Sequence, residues 1–128
     1  MHLAKWLVTL DSGRGMKDRG VVFAPASAAT LSAPELGMQR QVLAYNQNLM
    51  LVRHRLSKGW KGTSHSHPHE QLVYVVTGCI LFTASGKAIE MHGGDSLVVK
   101  GDVEHQATAL ADSEVLDVFV PYRSDYAQ

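Results

Sequence analysis

Three histidines and a glutamine at regular spacing are the strongest chemical signal in this chain. His65 and His67 are separated by one residue, and Gln71 follows four residues after the second histidine. His105 comes from a distant segment, eleven residues after Gly94. Imidazole nitrogens and an amide oxygen are donors that a divalent transition metal accepts. The spacing therefore predicts a four-ligand metal site made by His65, His67, Gln71 and His105.

Strand geometry gives this spacing a physical reason. Side chains alternate across a strand, so two histidines one residue apart face the same side. If strand geometry returns after Pro68, Gln71 faces the metal and Glu70 faces away. His69 is the main rival ligand, because the proline makes the parity uncertain at that point. Three imidazoles and an amide oxygen suit Ni, Zn, Fe, Mn or Co, so the sequence predicts one divalent transition metal without identifying it.

The elements that must position these ligands are short strands. From about Leu36, segments rich in Val, Leu, Tyr and Phe are separated by Gly, Asp, Asn and Ser, a pattern that predicts an all-β barrel or sandwich. Eight strands with these spacings suit a double-sheet jelly roll. They are predicted at residues 39–45, 49–56, 71–76, 79–84, 87–91, 96–99, 105–109 and 115–120.

The N-terminal residues have a different character. Residues 1–35 lack a sustained helical or alternating pattern and are predicted to form an arm, whereas residues 36–128 form the barrel domain. The arm could be partly disordered, or it could pack on the barrel or on a second subunit, with residues 21–23 paired at a sheet edge. Because a small barrel leaves sheet edges open, we expect a homodimer in which residues 3–10 or 21–23 cover a neighbour's edge.

Length, charge and cysteine usage narrow the class of partner. The 128 residues suit one domain, and 12 basic and 12 acidic side chains give a formal net charge of zero. We therefore expect a small-molecule substrate and neither nucleic acid nor a membrane as partner. No apolar run approaches bilayer length, and the first residues lack the features of a signal peptide. The lone Cys79 is expected to pack in the interior, and the cytoplasm is the expected compartment.

The first histidine segment resembles the first motif of the cupins, small β-barrel metalloproteins. In that motif a Gly, five residues, H-x-H, three or four residues, a Glu, six residues and a Gly follow one another. From Gly59 to Gly78 every spacing fits, with Gln71 in place of the Glu. The resemblance implies an all-β double-stranded β-helix, the RmlC-like jelly-roll cupin barrel, with the four ligands named above around a metal.

The second histidine segment resembles the second cupin motif less completely. That motif is a Gly, five residues, P-x-G, two residues and a His. Gly94 and His105 keep the required separation, but Lys100 and Asp102 stand where the Pro and the second Gly would be. The barrel and the metal site are therefore better supported by the resemblance than is the turn around residue 100.

A narrower resemblance covers roughly residues 36–126. The segment HSHPHEQLVYVVTG and the tail LDVFVPYRSDY are similar to those of the KdgF-like pectin-degradation cupins, which linearise 4,5-unsaturated uronate sugars. Val120 and Tyr122 depart from that tail pattern. The resemblance implies that Asp117, Phe119 and Arg123 line the pocket, with Asp117 and Arg123 catalytic and with Phe119 and Arg123 binding substrate.

The resulting prediction is a metal-dependent cupin that acts on a small carboxylated carbohydrate. Four neutral ligands leave the ion its full double charge, which favours Lewis-acid chemistry. Arg123 would bind the substrate carboxylate, and Asp117 would donate or accept a proton. An iron-dependent dioxygenase, a non-catalytic sugar- or metabolite-binding cupin and a metal-free structural cupin are the alternatives.

Four side chains keep a structural alternative. Asp117 and Arg123 could form a salt bridge at the barrel mouth instead of acting on substrate. Trp60 could wall a sugar pocket or serve packing. His54 alternates with Val52 and Leu56, which favours a histidine on a strand face over a metal ligand.

Overall fold

Nine strands in two antiparallel sheets make up the computed structural model, which describes residues 20–127. The strands are β1 (Leu31–Glu35), β2 (Met38–Tyr45), β3 (Met50–Leu56), β4 (Glu70–Thr77), β5 (Cys79–Ala84), β6 (Lys87–His92), β7 (Ser96–Val99), β8 (His105–Ala109) and β9 (Ser113–Val120). A 3₁₀ turn spans Ala26–Ala28. The six-stranded sheet has the order β1-β2-β3-β9-β4-β7, and the three-stranded sheet has the order β6-β5-β8. The all-β jelly-roll prediction is confirmed.

Strand β1 is the element that the sequence did not predict. It lies inside the segment assigned to the arm, and it pairs with β2 at the edge of the larger sheet. All five residues are exposed, so the strand lacks the alternation of apolar residues by which a sequence predicts a strand. Pro34 is tolerated because the strand is at an edge of the sheet. Residues 21–23 form no strand, and residues 3–10 lie outside the described part of the chain.

Alternation along the strands places one buried polar layer between two apolar clusters. One cluster joins both sheets and includes Met38, Leu56, Val73, Val75, Ile80, Phe82, Met91, Val99, Ala109 and Val115; the other contains Met50, Val52 and Phe119. The polar layer between them consists of His54 on β3, Gln71 on β4 and Asp117 on β9, all buried. Because β9 pairs with both β3 and β4, its carboxylate reaches both neighbours. Burial of these groups is costly unless each has a hydrogen-bond partner, and here they bond to one another.

The turn before β8 keeps the shape of the cupin motif with different residues. Asp102 has a φ of +68°, the left-handed conformation that the motif's second Gly would supply and that Asp tolerates better than most side chains. Its N–H donates to the His67 carbonyl oxygen at 2.7 Å. Gly101 lies so close to the Pro68 carbonyl that a Cβ at position 101 would collide with it. The turn therefore fastens the first histidine segment to the second.

Cys79 is half-buried at the beginning of β5, less deeply than the sequence predicted. Desolvation, with the nearby Glu90 carboxylate, raises the pKa of its thiol, which disfavours the reactive thiolate.

Within residues 20–127, no helix has the length and apolar character needed to cross a membrane.

Candidate metal centre and cavity

Three histidines from two distant segments form one cluster. Donor atoms of His65, His67 and His105 all lie within 4.8 Å of one another. The backbones of His65 and His105 exchange two hydrogen bonds, of 3.0 and 2.8 Å, which joins the first segment to β8. Because β8 belongs to the smaller sheet and Gln71 lies on β4 of the larger one, the cluster forms where the two sheets meet.

Each of the three rings is oriented by a backbone carbonyl. The Nδ1 partners are Thr63 O for His65 (2.9 Å), His69 O for His67 (3.0 Å) and Val103 O for His105 (2.8 Å). A carbonyl oxygen can only accept, so each Nδ1 carries the proton and each Nε2 presents a lone pair. This is the arrangement by which proteins fix the tautomer of a metal-binding histidine.

Gln71 completes the cluster with an oxygen. Its Nε2 donates to Asp117 Oδ1 at 2.9 Å, which turns Oε1 toward His67 Nε2 at 3.0 Å. Both atoms at this 3.0 Å contact are acceptors, and a cation between them would relieve their repulsion. The Nε2 of His105 is buried and has no hydrogen-bond partner among the described residues. The four side chains therefore fit a divalent transition metal.

The electrostatic environment favours the ligand form of the imidazoles. Burial lowers the pKa of both His67 and His105, and the positive charge of Arg123 lowers the pKa of His67 further. A hydrogen bond to the Val103 carbonyl partly opposes the effect at His105. Only the neutral imidazole can bind a metal, so these shifts keep the rings competent at neutral pH.

The neighbours of the cluster follow the predicted parity. Gln71 is buried and faces the histidines, whereas Glu70 is exposed. His69, the rival ligand, contributes its backbone carbonyl to His67 and packs its ring edge-on against the same side chain, with ring centroids 5.4 Å apart. A glutamate at position 71 would bring a second carboxylate against Asp117, which gives a physical reason for an amide here.

A cavity of about 280 Å³ lies beside the cluster, and Asp117, Phe119 and Arg123 all line it together with His65, Gln71 and His105. Trp60 also lines the cavity and at the same time packs on the larger apolar cluster, so its packing role is confirmed and its contact with a sugar stays a prediction. The three tail residues implied by the resemblance are thus brought to the candidate metal centre.

The proposed salt bridge between Asp117 and Arg123 is wrong. Arg123 pairs with Asp125 through Nη2 (2.6 Å) and Nε (3.1 Å), and these bonds lower the pKa of the Asp125 carboxyl. Its guanidinium carbon also lies 4.1 Å from the centroid of the Tyr126 ring. Asp117 instead accepts hydrogen bonds from Gln71 and from His54 Nδ1, the latter at 2.8 Å. The two tail residues therefore have separate partners.

Sequence reasoning missed Arg40, which contacts the buried polar layer, and did not place His54 inside that layer. Arg40 on β2 donates from Nε to His54 Nε2 at 2.9 Å, and its guanidinium stacks on Tyr126 at 3.9 Å from the ring centroid. His54 was predicted as a strand-face side chain, but the face is the inner one. The signal was present, because Asp117 at an inward position requires buried donors, and His54 shares the parity of the core residues beside it.

These features define a small β-barrel with a candidate metal site inside it. The chain belongs to the cupin family, because a profile of the cupin domain matches residues 52–120.

Within the cupin family, the chain is similar to several named proteins and solved structures. The chain is 30% identical over 92 residues to the pectin degradation protein KdgF of Dickeya dadantii (strain 3937). The aligned region covers 70% of this chain and 84% of that protein. The structure of KdgF from Halomonas sp. superposes with a TM-score of 0.76 at 34% identity, covering 80% of this chain and 97% of that one. An RmlC-like cupin from Shewanella frigidimarina NCIMB 400 gives a TM-score of 0.78 at 31% identity, covering 82% and 95%.

Proposed function

We propose that this cupin is a metal-dependent enzyme that opens the ring of a 4,5-unsaturated uronate monosaccharide and yields its linear keto form. The observation that carries the proposal is one cavity lined by His65 and His105 of the histidine cluster, by Asp117 and by Arg123. The similarity to KdgF, named a pectin degradation protein in Dickeya dadantii, supports a substrate derived from pectin. A cavity of about 280 Å³ is near the lower end of ligand sites, which suits a monosaccharide better than a polymer.

The residues that would hold the metal are His65, His67, Gln71 and His105. A bound divalent ion would supply Lewis-acid stabilisation of charge on a substrate oxygen. All four ligands are neutral, so the ligands themselves would not offset the charge of the ion.

Arg123 is suited to bind the substrate carboxylate. The guanidinium has five N–H donors, and the bonds to Asp125 use Nε and Nη2. Stacking on Tyr126 and the ion pair together hold the group at the cavity wall. An anion bound there would replace water with charge-assisted hydrogen bonds.

Asp117 is suited to accept the first proton. Both of its oxygens accept N–H hydrogen bonds, as an ionised carboxylate does. In the proposed reaction the anomeric hydroxyl gives its proton to Asp117, the C1 to ring-oxygen bond breaks, and C1 becomes an aldehyde. The ring oxygen leaves as an enolate, and return of the proton from Asp117 to C4, directly or through water, yields the ketone at C5 and restores the carboxylate. Bonds, protons and electrons balance without an oxidant.

Turnover of the substrate tests the proposal directly. The metal-loaded protein should remove the conjugated enol absorbance of a 4,5-unsaturated galacturonate or mannuronate monomer, without uptake of oxygen. Oxygen uptake would instead indicate the dioxygenase. Binding of either uronate without loss of absorbance would indicate a non-catalytic module.

Arg123→Ala should mainly weaken substrate binding. Loss of a charge-assisted contact to a carboxylate should raise the KM by roughly tenfold to a hundredfold. Arg55→Ala is the matched control, since Arg55 pairs with Glu114 and does not line the cavity. Steady-state kinetics on the uronate would reject this role if KM stayed within about twofold of the unsubstituted chain.

We also propose that the chain forms a homodimer through the outer face of the larger sheet. This face exposes Leu72 (42%), Tyr74 (42%) and Val98 (61%), and Leu72 pairs directly with Val98 across β4 and β7. An apolar group of this kind on a sheet face is typical of an interaction surface. A second copy would present the same patch, as two-fold symmetry requires.

Light scattering should therefore report a dimer at micromolar concentration. The double variant Leu72→Lys with Val98→Lys should be monomeric, because burial of two like charges opposes association. Ile89→Lys is the control, since Ile89 is equally exposed but lies on the smaller sheet. A monomeric unsubstituted chain would reject the dimer, and a dimeric double variant would reject this face.

A further inference from the structure

We infer that Arg40 and His54 are positioning residues that keep the Gln71 amide oxygen directed at the metal site. They would act through Asp117, and neither of them touches the histidine cluster itself. The inference rests on the proposed metal centre, but it concerns how this chain holds one ligand and does not depend on the substrate.

The direction of each hydrogen bond in this chain of residues follows from Arg40, which can only donate, and from the Asp117 carboxylate, which can only accept. A guanidinium can only donate, so Arg40 Nε–H makes His54 Nε2 an acceptor at 2.9 Å. The ring proton of neutral His54 must then be on Nδ1, which donates to Asp117 Oδ2 at 2.8 Å. Asp117 Oδ1 accepts from Gln71 Nε2 at 2.9 Å, and Gln71 Oε1 faces His67. Arg40 thus fixes the tautomer of His54, and Asp117, held by that ring, fixes the orientation of the Gln71 amide.

An amide has nearly the same shape in its two orientations, so a contact must choose between them. If Gln71 were reversed, its N–H would donate to His67 Nε2, and its oxygen would face Asp117. The carboxylate opposes that reversal because it offers only lone pairs. His54 stabilises this acceptor by donating to its other oxygen. Without that donor, Asp117 is free to turn, and the preference for the oxygen-inward amide weakens.

Burial and anchoring make this arrangement specific. His54, Gln71 and Asp117 are 8%, 9% and 5% exposed, so water has little access to replace a lost donor. Tyr126 fixes Arg40 from the other side, with its ring 3.9 Å from the guanidinium carbon and its hydroxyl oxygen 3.3 Å from Nη2. The C-terminal segment that carries Arg123 thereby also supports the metal site.

The test uses Co²⁺ as the probe and does not require activity. His54→Leu should weaken Co²⁺ binding by roughly tenfold to a hundredfold, the usual effect of losing an outer partner of a metal ligand. The visible absorption of the Co²⁺ complex of His54→Leu should approach that of the Gln71→Ala complex, because both variants lose the amide oxygen from the ion. His54→Asn keeps an N–H at the position of Nδ1 and should restore most of the affinity. Arg40→Met should weaken binding in the same direction.

A double-mutant cycle separates positioning from general destabilisation. If His54 acts through the amide, His54→Leu should change Co²⁺ affinity by less than about twofold when Gln71 is already alanine. Additive losses, or no rescue by His54→Asn, would overturn the inference, as would unchanged affinity in His54→Leu. Arg55→Met, on the exposed face of the strand that carries His54, should bind Co²⁺ normally. Failure of the unsubstituted chain to bind Co²⁺ would overturn both the metal centre and this inference.

Discussion

His105→Ala should remove the metal from the purified chain. We expect close to one transition-metal ion per unsubstituted chain and almost none in this variant, because His105 presents a buried Nε2 lone pair that the described protein atoms leave unmet. The donor atoms of the three histidines lie within 4.8 Å, so removal of one leaves a site with too few ligands. Elemental analysis of protein purified without a metal-affinity step measures the occupancy and also identifies the ion.

Position-specific controls make this result informative. Glu70→Ala should leave the metal content unchanged, because Glu70 is exposed and faces away from the cluster. Gln71→Ala should weaken binding less than loss of a histidine, because an amide oxygen is the weaker donor. Circular dichroism should show that His105→Ala remains folded. Full metal occupancy in a folded His105→Ala protein would exclude the site. A greater loss of metal in Glu70→Ala than in Gln71→Ala would mean that Glu70, and not Gln71, is the ligand.

Local alternation made the barrel and the ligand cluster predictable. Period-two patterning set the parity of Gln71 against Glu70, and the resemblance to the second cupin motif added His105 to the ligands. Asp102 shows why a motif can lose its glycine and keep its turn, since the side chain adopts the same left-handed φ. Strand β1 escaped prediction because an exposed edge strand needs only backbone pairing.

Pairing between distant side chains could not be read from the sequence in the same way. Asp117 required a partner, and Arg123, six residues later, was the nearest cation along the chain. The partners are instead His54 and Gln71, from the strands that flank β9 on either side. Strand order is a tertiary property, and only the insertion of β9 between β3 and β4 decides which side chains meet the carboxylate. Arg40 meets His54 for the same reason, because β2, which carries Arg40, pairs with β3 on the side away from β9.

Asp117→Asn should abolish most of the turnover of a 4,5-unsaturated uronate. An asparagine cannot accept the proton, and loss of a general base typically costs roughly a hundredfold or more in kcat. Its amide N–H would also face an N–H of Gln71 or His54, both of which now donate to the carboxylate. The loss of enol absorbance should therefore be measured per bound metal ion, so that a fall in occupancy is not counted as a fall in chemistry.

The two roles of Asp117 give different outcomes in that measurement. If it transfers the proton, turnover per metal ion falls a hundredfold even in fully loaded protein; if it only positions Gln71, turnover falls in proportion to the metal lost. Asp112→Asn is the matched substitution outside the cavity, where the carboxylate accepts from the Lys58 N–H, and it should leave turnover unchanged. Turnover per metal ion within about tenfold of the unsubstituted chain would remove Asp117 from the proposed reaction and leave Arg123 and the metal ligands to account for it.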